Sequence, residues 1–598
     1  MVPDEVLLAD WVFAKAAFPG LKCDDDTYLE RIFHNINPII KKIIPVIDRR
    51  SFKECFHTIR DTAVLFTHKL AEAILCSSPK VVGCSSTFIK HVASLALLRK
   101  IRELDDSVVT IIGGSNCETI KGYTTHKCFP WVDYVVSGEA DGIIVDLCRK
   151  IFQEGREIPP AHLPNGVLGP RHRLHGYTCL SMDDVYQGRL VVNQLDTLPV
   201  PDFQDYFDAK SQVSFGERIK PGLLMETARG CWWGSINKCK FCGLNGMGML
   251  FRKKSPNRVI SEIRELELKY NTTKLEFVDN ILSMNYIQEV LPKLETDGTN
   301  RSMFFETKAN LTRKDLMQMK RAGVNWLQPG IESLITDVLK IIGKGIAAWQ
   351  NLQLLKWARE LGIRLSWNYL WGFPGEEDGW YRSHTSWLPW IQHLQPPAAF
   401  LQFQIRRFSY YFEHAEELGF KLQTVPALDY IYDLSEEDKR GISYYFSSED
   451  WYNVFSDPES SRYMGRPGIQ ATAMALGEWR RAFWRGVPPL LTMQDNGQRI
   501  EFFDTRSCTQ NLKYYISGIS RYIYLLCDDA PLEKTLLNQF QQHFGVTTSA
   551  QELSDMVKKL YQLGVLLKLD NRLIALAIRG KLPRLPGKLD FPGGNIEP

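Results

Sequence analysis

The chain carries no strong compositional bias, and each missing bias removes a class of function. Charge of one sign is not in excess: across 598 residues, 72 Lys and Arg stand against 69 Asp and Glu, a net of +3. That is too weak a field to point to nucleic acid or an anionic membrane surface. Long apolar runs are absent as well. The longest stretch free of Asp, Glu, Lys and Arg, residues 383–405, contains Pro389, Pro396, Pro397 and several Gln, so it makes a poor membrane span. An N-terminus with Asp4, Glu5 and Asp10 has no signal-peptide character. Cysteine is sparse and odd in number, 13 in all, which fits a reducing cytoplasm rather than a disulfide framework. With 44% apolar residues, 24% charged, 42 Gly and 30 Pro, the composition excludes disordered, collagen-like and coiled-coil chains. The length is about four ordinary domain lengths.

What is present is an α/β rhythm in three regions. Residues 1–75 read as helical, because Leu7, Leu8, Trp11, Val12 and Phe13 form a helix face rather than an alternation. Short apolar strands follow at 81–83, 108–112 and 132–137, separated by helices at 88–104 and 141–152, the spacing of a doubly wound (Rossmann-like) parallel sheet. Each strand runs into small polar residues: Ser85, Ser86 and Thr87; then Gly113, Gly114, Ser115 and Asn116; then Ser137, Gly138 and Glu139. Open parallel sheets bind ligands at these carboxyl ends, although Gly and Ser also make ordinary tight turns.

A Pro-rich passage at 195–203 reads as a connector. Beyond it, strands at 223–227, 274–278, 303–308, 325–329, 364–370 and 399–405 alternate with helices at 256–270, 313–322 and 347–361. Six βα units in about 200 residues predict a partial (β/α)6 barrel. After about residue 425 the repeat stops. Helices at 515–527, 532–544 and 550–563, followed by a hairpin over 565–578 that turns at Asp570-Asn571, predict a winged-helix-like unit in an α+β region. It lacks a dense basic helix, so it fits peptide or protein contact at least as well as DNA. The tail 580–598, rich in Pro and Gly, reads as loose. The expected domains are therefore 1–194, 195–425 and 426–598.

Only three cysteines are closely grouped: Cys231, Cys239 and Cys242, in ETARGCWWGSINKCKFCGLNGMG. They follow the first barrel strand, on the face where βα loops build active sites. Three thiolates make a metal site short of its fourth protein ligand. Both a zinc site with an open position and an iron-sulfur cube with one free iron fit that count. The remaining cysteines read as small packed hydrophobes.

The Cys-x7-Cys-x2-Cys spacing, with Phe241 inside the last pair and Gly243-Leu244-Asn245-Gly246 after it, resembles the radical S-adenosylmethionine enzymes. In particular the chain is similar to the cobalamin-dependent group that C-methylates ribosomally made precursor peptides (RiPP maturation). The resemblance extends through GGSNCE, VDYVVSGEAD, LDTLPVPDFQDYF, FVDNIL, KANL, WLQPGIESL, LLKWARELGIRLSWNYLWGFPGE and RRFSYYF, and so covers most of residues 80–580.

It implies a radical methyltransferase acting on a precursor peptide, in which Cys231, Cys239 and Cys242 hold a 4Fe-4S cluster whose open iron binds S-adenosylmethionine. It also implies S-adenosylmethionine contacts from Phe241, Gly243, Asp279, Asn280, Lys308, Glu332 and Asn368. Within that set Asp279 and Asn280 meet the ammonium or ribose, Lys308 with Asn310 the carboxylate, and Glu332 the ribose hydroxyls. Asn368 and the turn Gly372-Phe373-Pro374-Gly375 hold the adenine. Trp232 and Trp233 fit either cavity walls or packing.

The resemblance makes the N-terminal sheet a cobalamin-binding domain, with the loops at Ser85–Thr87, Gly113–Asn116 and Ser137–Glu139 around the corrin and its nucleotide tail. No Asp-x-His-x-x-Gly motif is present, so no histidine below cobalt is expected. Relatives usually open with a further βα unit before a segment like LLADWVFAKAAFPG, so the cobalamin domain is expected to be shortened. A reductant such as flavodoxin or ferredoxin is the expected partner, and nucleic acid and membrane are not. A cobalamin-independent radical cyclisation or desaturation, or a non-catalytic iron-sulfur protein, are the alternative readings.

Overall fold

The computed structural model describes residues 6–33, 48–246, 248–449, 451, 463, 465–544 and 548–597. They form two compact units, one of residues 1–193, 241–248 and 404–464, the other of 194–240, 249–403 and 465–598. No helix among the described residues is long and apolar enough to cross a membrane.

In the first unit, helices α1 (Leu8–Ala17) and α2 (Arg49–Leu75) precede the sheet; part of the helical stretch expected over 1–75 lies outside the described residues. The sheet holds β1 (Val81–Ser85), β2 (Val109–Gly113) and β3 (Tyr134–Val136) in parallel, linked by α3 (His91–Leu104) and α4 (Ile120–Cys128). After α5 (Ile144–Glu154), β4 (Val167–Leu168) closes the sheet antiparallel to β3. Alternation along the strands gives each face its own core. Val82, Ile112 and Val135 pack with Trp11 of α1 and Leu95 and Leu98 of α3. On the other face Val109, Ile111, Tyr134 and Val136 pack with Leu147 and Ile151 of α5. Helices therefore cover both faces, as a Rossmann-like sheet requires. The strand order β1-β2-β3-β4 runs without the reversal that opens a crevice in a doubly wound sheet. The structure adds α4 in a stretch where no helix was expected; its apolar pattern is hidden because Thr124, Thr125 and His126 are polar yet buried.

In the second unit, β5 (Leu223–Met225), β6 (Lys274–Phe277), β7 (Ser302–Thr307), β8 (Val324–Pro329) and β9 (Arg364–Leu365) form one parallel sheet in chain order. β10 (Asn368–Trp371) and β11 (Ala399–Gln402) pair in parallel, and a bridge from Glu332 to Tyr369 links β10 to the loop after β8. The strand expected over 364–370 is thus two pieces. Helices α6 (Pro256–Tyr270), α7 (Arg313–Arg321) and α8 (Ala348–Leu361) stand where the periodicity predicts them, and the first two are capped: Ser255 and Thr312 accept from the N–H groups of Arg258 and Asp315.

Three antiparallel strands, β12 (Leu491–Asp495), β13 (Arg499–Asp504) and β14 (Lys513–Ser517), follow the barrel. The helix expected from 515 therefore starts later, as α9 (Gly518–Leu526), because Lys513, Tyr514 and Tyr515 alternate as a strand does. Helices α10 (Leu536–Phe544) and α11 (Ala550–Gln562) and the hairpin β15 (Leu566–Leu569) with β16 (Arg572–Ala575) complete the winged-helix-like set. Asp570 and Asn571 take φ of 54° and 58°, the two left-handed residues that a tight two-residue turn demands. β17 (Ile578–Arg579) then leaves the hairpin to pair in parallel with β12.

The tail is ordered, contrary to its composition. β18 (Gly594–Ile596) pairs antiparallel with a short strand at Ile219–Pro221, just before β5. Phe591 stands edge-on to Trp326 and Phe304, with ring centroids 5.0 and 5.4 Å away. Buried aromatic area outweighs the turn-rich composition. Gly222 has no space for a side chain: a Cβ there would lie 1.8 Å from the Pro592 carbonyl oxygen.

Candidate active site at the barrel mouth

The cysteine loop leaves the barrel through a two-residue neck. Ala228 and Arg229 pair antiparallel with Lys253 and Arg252. Asp279, two residues past β6, ties this neck down. Its Oδ1 accepts from the N–H groups of Thr227 and Ala228 at 2.7 and 2.9 Å, and its Oδ2 accepts from the Thr227 hydroxyl. Burial pushes the Asp279 carboxyl up to about 7 against the pull of those donors. The carboxylate expected to meet a ligand is thus bonded to the neck; Asn280 beside it is exposed. Gly230, at φ 81°, passes the Leu250 carbonyl so closely that a Cβ would lie 2.2 Å from it.

Cys231 and Cys239 belong to this unit, whereas Phe241, Cys242 and Gly243 belong to the first. The Cys231 sulfur accepts from the Gly234 N–H at 3.3 Å, and burial raises its pKa. Among the described residues, no three His, Cys, Asp or Glu side chains are gathered as a metal-ligand set. The chemistry of the donors suits iron nonetheless: cysteine sulfurs are the ligands of iron-sulfur clusters, and Cys231 and Cys239 both act electrostatically on Lys308.

Lys308, one residue past β7, lies 3.5 Å over the Trp233 ring, and its ammonium donates to the Lys344 carbonyl. Burial first, and Lys344 second, bring its pKa down to about 8. Lys344 also pairs with Glu332 at 3.0 Å. Glu332 has φ 58°, a strained conformation for a side chain of its size, and its carbonyl accepts from Leu370 N–H at 2.8 Å. Lys308, Lys344 and Glu332 therefore form one charged group beside β7 and β10. Trp233 is a wall of it, its Nε1 donating to Gly343 at 3.3 Å, while Trp232 is tied by its Nε1 to the Leu282 carbonyl at 3.1 Å.

Two expected residues show unmet bonding capacity: the buried Oδ1 atoms of Asn310 and Asn368 have no hydrogen-bond partner. An orphaned buried polar atom calls for a partner such as a water, an ion or a ligand. The turn at Gly372–Gly375 is braced from behind, since Glu376 Oε2 accepts from Gly372 N–H at 2.7 Å and Oε1 from the Tyr381 hydroxyl at 2.8 Å. The cation, the carboxylate and the two open amides fit a zwitterionic nucleoside such as S-adenosylmethionine. Sequence reasoning missed Lys344 and also Glu306, whose carboxyl burial pushes up to about 7 with help from Glu332. Glu306 was legible: it is a carboxylate near the carboxyl end of β7, two residues before Lys308.

In the first unit, the sheet's carboxyl ends are knitted together. Ser86 is fully buried, and its hydroxyl accepts from Asn116 Nδ2 at 3.0 Å; Asn116 also donates to the Phe88 carbonyl at 2.8 Å. Gly114, at φ 93°, abuts the Ser86 carbonyl. Ser137 accepts from Thr119 N–H at 2.9 Å, Gly138 bridges to Leu190, and Glu139 accepts from Val192 N–H at 2.9 Å. Ser85 and Ser115 are exposed. Of the expected loop residues, Thr87 opens on a cavity of about 520 Å³, together with Phe88, Ile89, Lys90, Leu244, Arg406, Tyr444 and Tyr445. Leu244 is two residues past Cys242. The buried Tyr444 hydroxyl has no partner, and burial drives its pKa far up. Ser137 lines a second cavity of about 420 Å³ beneath β3 and β4, with Tyr123, His172 and Asp184.

Residues 225–388 match the Radical SAM superfamily. Among curated proteins, an uncharacterized methyltransferase of Pyrococcus horikoshii is 25% identical over 311 residues, covering 51% of this chain and 63% of that one. The hopanoid C-3 methylase of Methylococcus capsulatus is 23% identical over 187 residues, covering 29% of this chain and 35% of that one. The chain therefore matches less than two thirds of the length of either relative. A solved cobalamin-dependent S-adenosylmethionine radical enzyme, OxsB, is 15% identical with a TM-score of 0.47, covering 59% of this chain and 54% of that one, a likeness too distant to carry function. The α/β fold read from strand spacing and the superfamily read from the cysteine motif agree with the match of residues 225–388 to the Radical SAM superfamily.

Proposed function

We propose that the protein is a cobalamin-dependent radical S-adenosylmethionine methyltransferase that methylates an unactivated carbon of a ribosomally made precursor peptide. The observation that carries the cobalamin part is the cavity lined by both the loop after β1 and Leu244, because it opens beside the segment that bears the third cysteine. When bound, the 4Fe-4S cluster supplies the electron that cleaves S-adenosylmethionine and cobalamin supplies the methyl carrier.

The chain's own part is to bind, orient and exclude water. Cys231, Cys239 and Cys242 hold the cluster. Lys308 meets the carboxylate of S-adenosylmethionine, Glu332 its ribose hydroxyls, and the open amides of Asn310 and Asn368 its remaining polar edges. Trp233 closes one wall. Thr87, Arg406 and the unpartnered Tyr444 hydroxyl would offer polar contacts to a bound cobalamin, and the exposed Phe88 and Ile89 apolar ones. Phe241 and Gly243 keep the role the resemblance gives them. The peptide as substrate, the C-terminal residues 426–598 as its recognition region, and a flavodoxin- or ferredoxin-type reductant rest on the resemblance.

Anaerobic reconstitution with iron, sulfide and hydroxocobalamin, followed by desalting, tests the reading. About one cobalt per chain beside the cluster absorbance is expected. A cluster without retained cobalt would remove methyl transfer through cobalamin and leave a cobalamin-independent radical modification of a peptide.

A further inference from the structure

The segment after Cys242 carries three glycines, and each is pressed against a fixed group of the first unit. A Cβ on Gly243 would lie 2.2 Å from the Arg407 carbonyl oxygen, on Gly246 2.4 Å from Glu118 Oε1, and on Gly248 2.4 Å from Arg189 Nη2. Gly246 adds a left-handed φ of 48°, which side chains adopt at a cost. The groups they meet are themselves locked. Arg189 Nε donates to Glu118 Oε1 at 2.7 Å, and its Nη2 lies 3.5 Å from Glu139 Oε1. The three side chains are 13%, 9% and 10% exposed. Arg407 Nε donates to the Ser443 carbonyl at 2.8 Å.

Glu118 follows the loop of β2, Glu139 follows the loop of β3, and Arg189 lies beside Leu190, which bridges to Gly138. A buried ion triad of this kind contributes little net stability by itself, because desolvation offsets attraction. What it supplies is a rigid, uniquely shaped surface. Glycine elsewhere in a loop raises the freedom of the unfolded chain, so three in six residues would loosen the segment unless something outside it defined its path.

We propose that Glu118, Arg189 and Glu139 form a seat for Gly246 and Gly248, with Arg407 against Gly243, and thereby fix the position of the Cys242 thiol, which makes them positioning residues for the third ligand of the cluster. This rests on the reading of Cys242 as a cluster ligand. A preset thiol removes part of the ordering entropy that cluster assembly would otherwise have to overcome. It also ties the third ligand to the sheet unit that carries the proposed cobalamin cavity, since Leu244 lines that cavity and sits within the seated segment. Glu118 and Arg189 therefore act on the cluster through the backbone rather than by touching it.

The test compares Arg189→Met, Arg189→Lys and Gly246→Ala with the parent chain in the apo state, following alkylation of each cysteine by iodoacetamide with peptide-resolved mass spectrometry. Arg189→Met and Gly246→Ala are expected to speed alkylation of Cys242 by roughly tenfold, the effect of losing one charge-assisted contact, while Cys231 and Cys239 stay within about twofold. Arg189→Lys, which keeps the charge but not the fork, should fall between. In reconstituted protein the first two variants should bind less iron and give an altered spectrum of the reduced cluster. Unchanged Cys242 alkylation in both variants would overturn the proposal, as would a rise of all three cysteines together, which marks general loosening. If the parent chain assembles no cluster while the alkylation contrast is present, the cluster reading fails and the seat stands.

Discussion

Replacing Phe591 by alanine tests whether the tail is part of the barrel. The ring lies half-buried, edge-on to Trp326 at 5.0 Å and to Phe304 at 5.4 Å. Full burial of a phenylalanine lost to alanine costs about 3–5 kcal/mol, and each aromatic pair contributes about 0.5–1.5 kcal/mol of such a total. Because Phe591 is only half-buried, the expected loss is about 2–3 kcal/mol. The loss is local first. β18 holds the strand Ile219–Pro221, and Glu597 N–H donates to the Arg218 carbonyl at 2.8 Å, so the amides of 218–222 should exchange with deuterium faster by roughly 30- to 100-fold. Trp326 fluorescence should shift to the red as water enters. Leu589→Ala is the control: this side chain in the same tail is 51% exposed, and its loss should stay within about 0.5 kcal/mol. Equal effects from Phe591→Ala and Leu589→Ala, or no change of exchange at 218–222, would refute the docked tail.

Glu376 gives a pH signature. Its side chain is fully buried, and burial raises its carboxyl from 4.5 to about 7. Between those values the folded chain keeps a proton that the unfolded chain has released, so its stability is present below about pH 4.5 and falls as pH rises towards 7, by on the order of 3 kcal/mol. Glu376→Gln should flatten that slope in denaturant titrations taken across the window; an undiminished slope would place its origin elsewhere. At the hairpin turn, Asn571→Ala should lower stability by about 1 kcal/mol in the same titrations, because alanine pays for a φ of 58°, whereas Asn571→Gly should be neutral or slightly stabilising.

Which features the sequence made legible follows from how local their causes are. The strands at β1, β2 and β3 and the helices α3, α6, α7 and α8 announce themselves by apolar period, and the Asp570-Asn571 turn by residues that tolerate positive φ. The motif of Cys231, Cys239 and Cys242 is readable because spacing along the chain is itself the signal. The rest depended on contacts far apart in sequence. Residues 515–517, the end of strand Lys513–Ser517, were read as helix because the alternation is short and a true helix starts directly after it. The tail was read as loose because Phe591 finds Trp326 only after the barrel forms. Asp279 was assigned to a ligand because strand ends suggest it, but its acceptors are taken by a neck 52 residues earlier. Ser86, Asn116 and Ser137 turned out to join loop to loop, while Arg406 and Tyr444, hundreds of residues downstream, line the cavity.

The pairing of Gly594–Ile596 with Ile219–Pro221 places the last strand of the chain beside one of the first strands of its unit. The two partners are far apart along the chain, so a proteolytic nick in an exposed loop between them would leave both fragments joined, by this pairing and by Phe591 standing against Trp326 and Phe304.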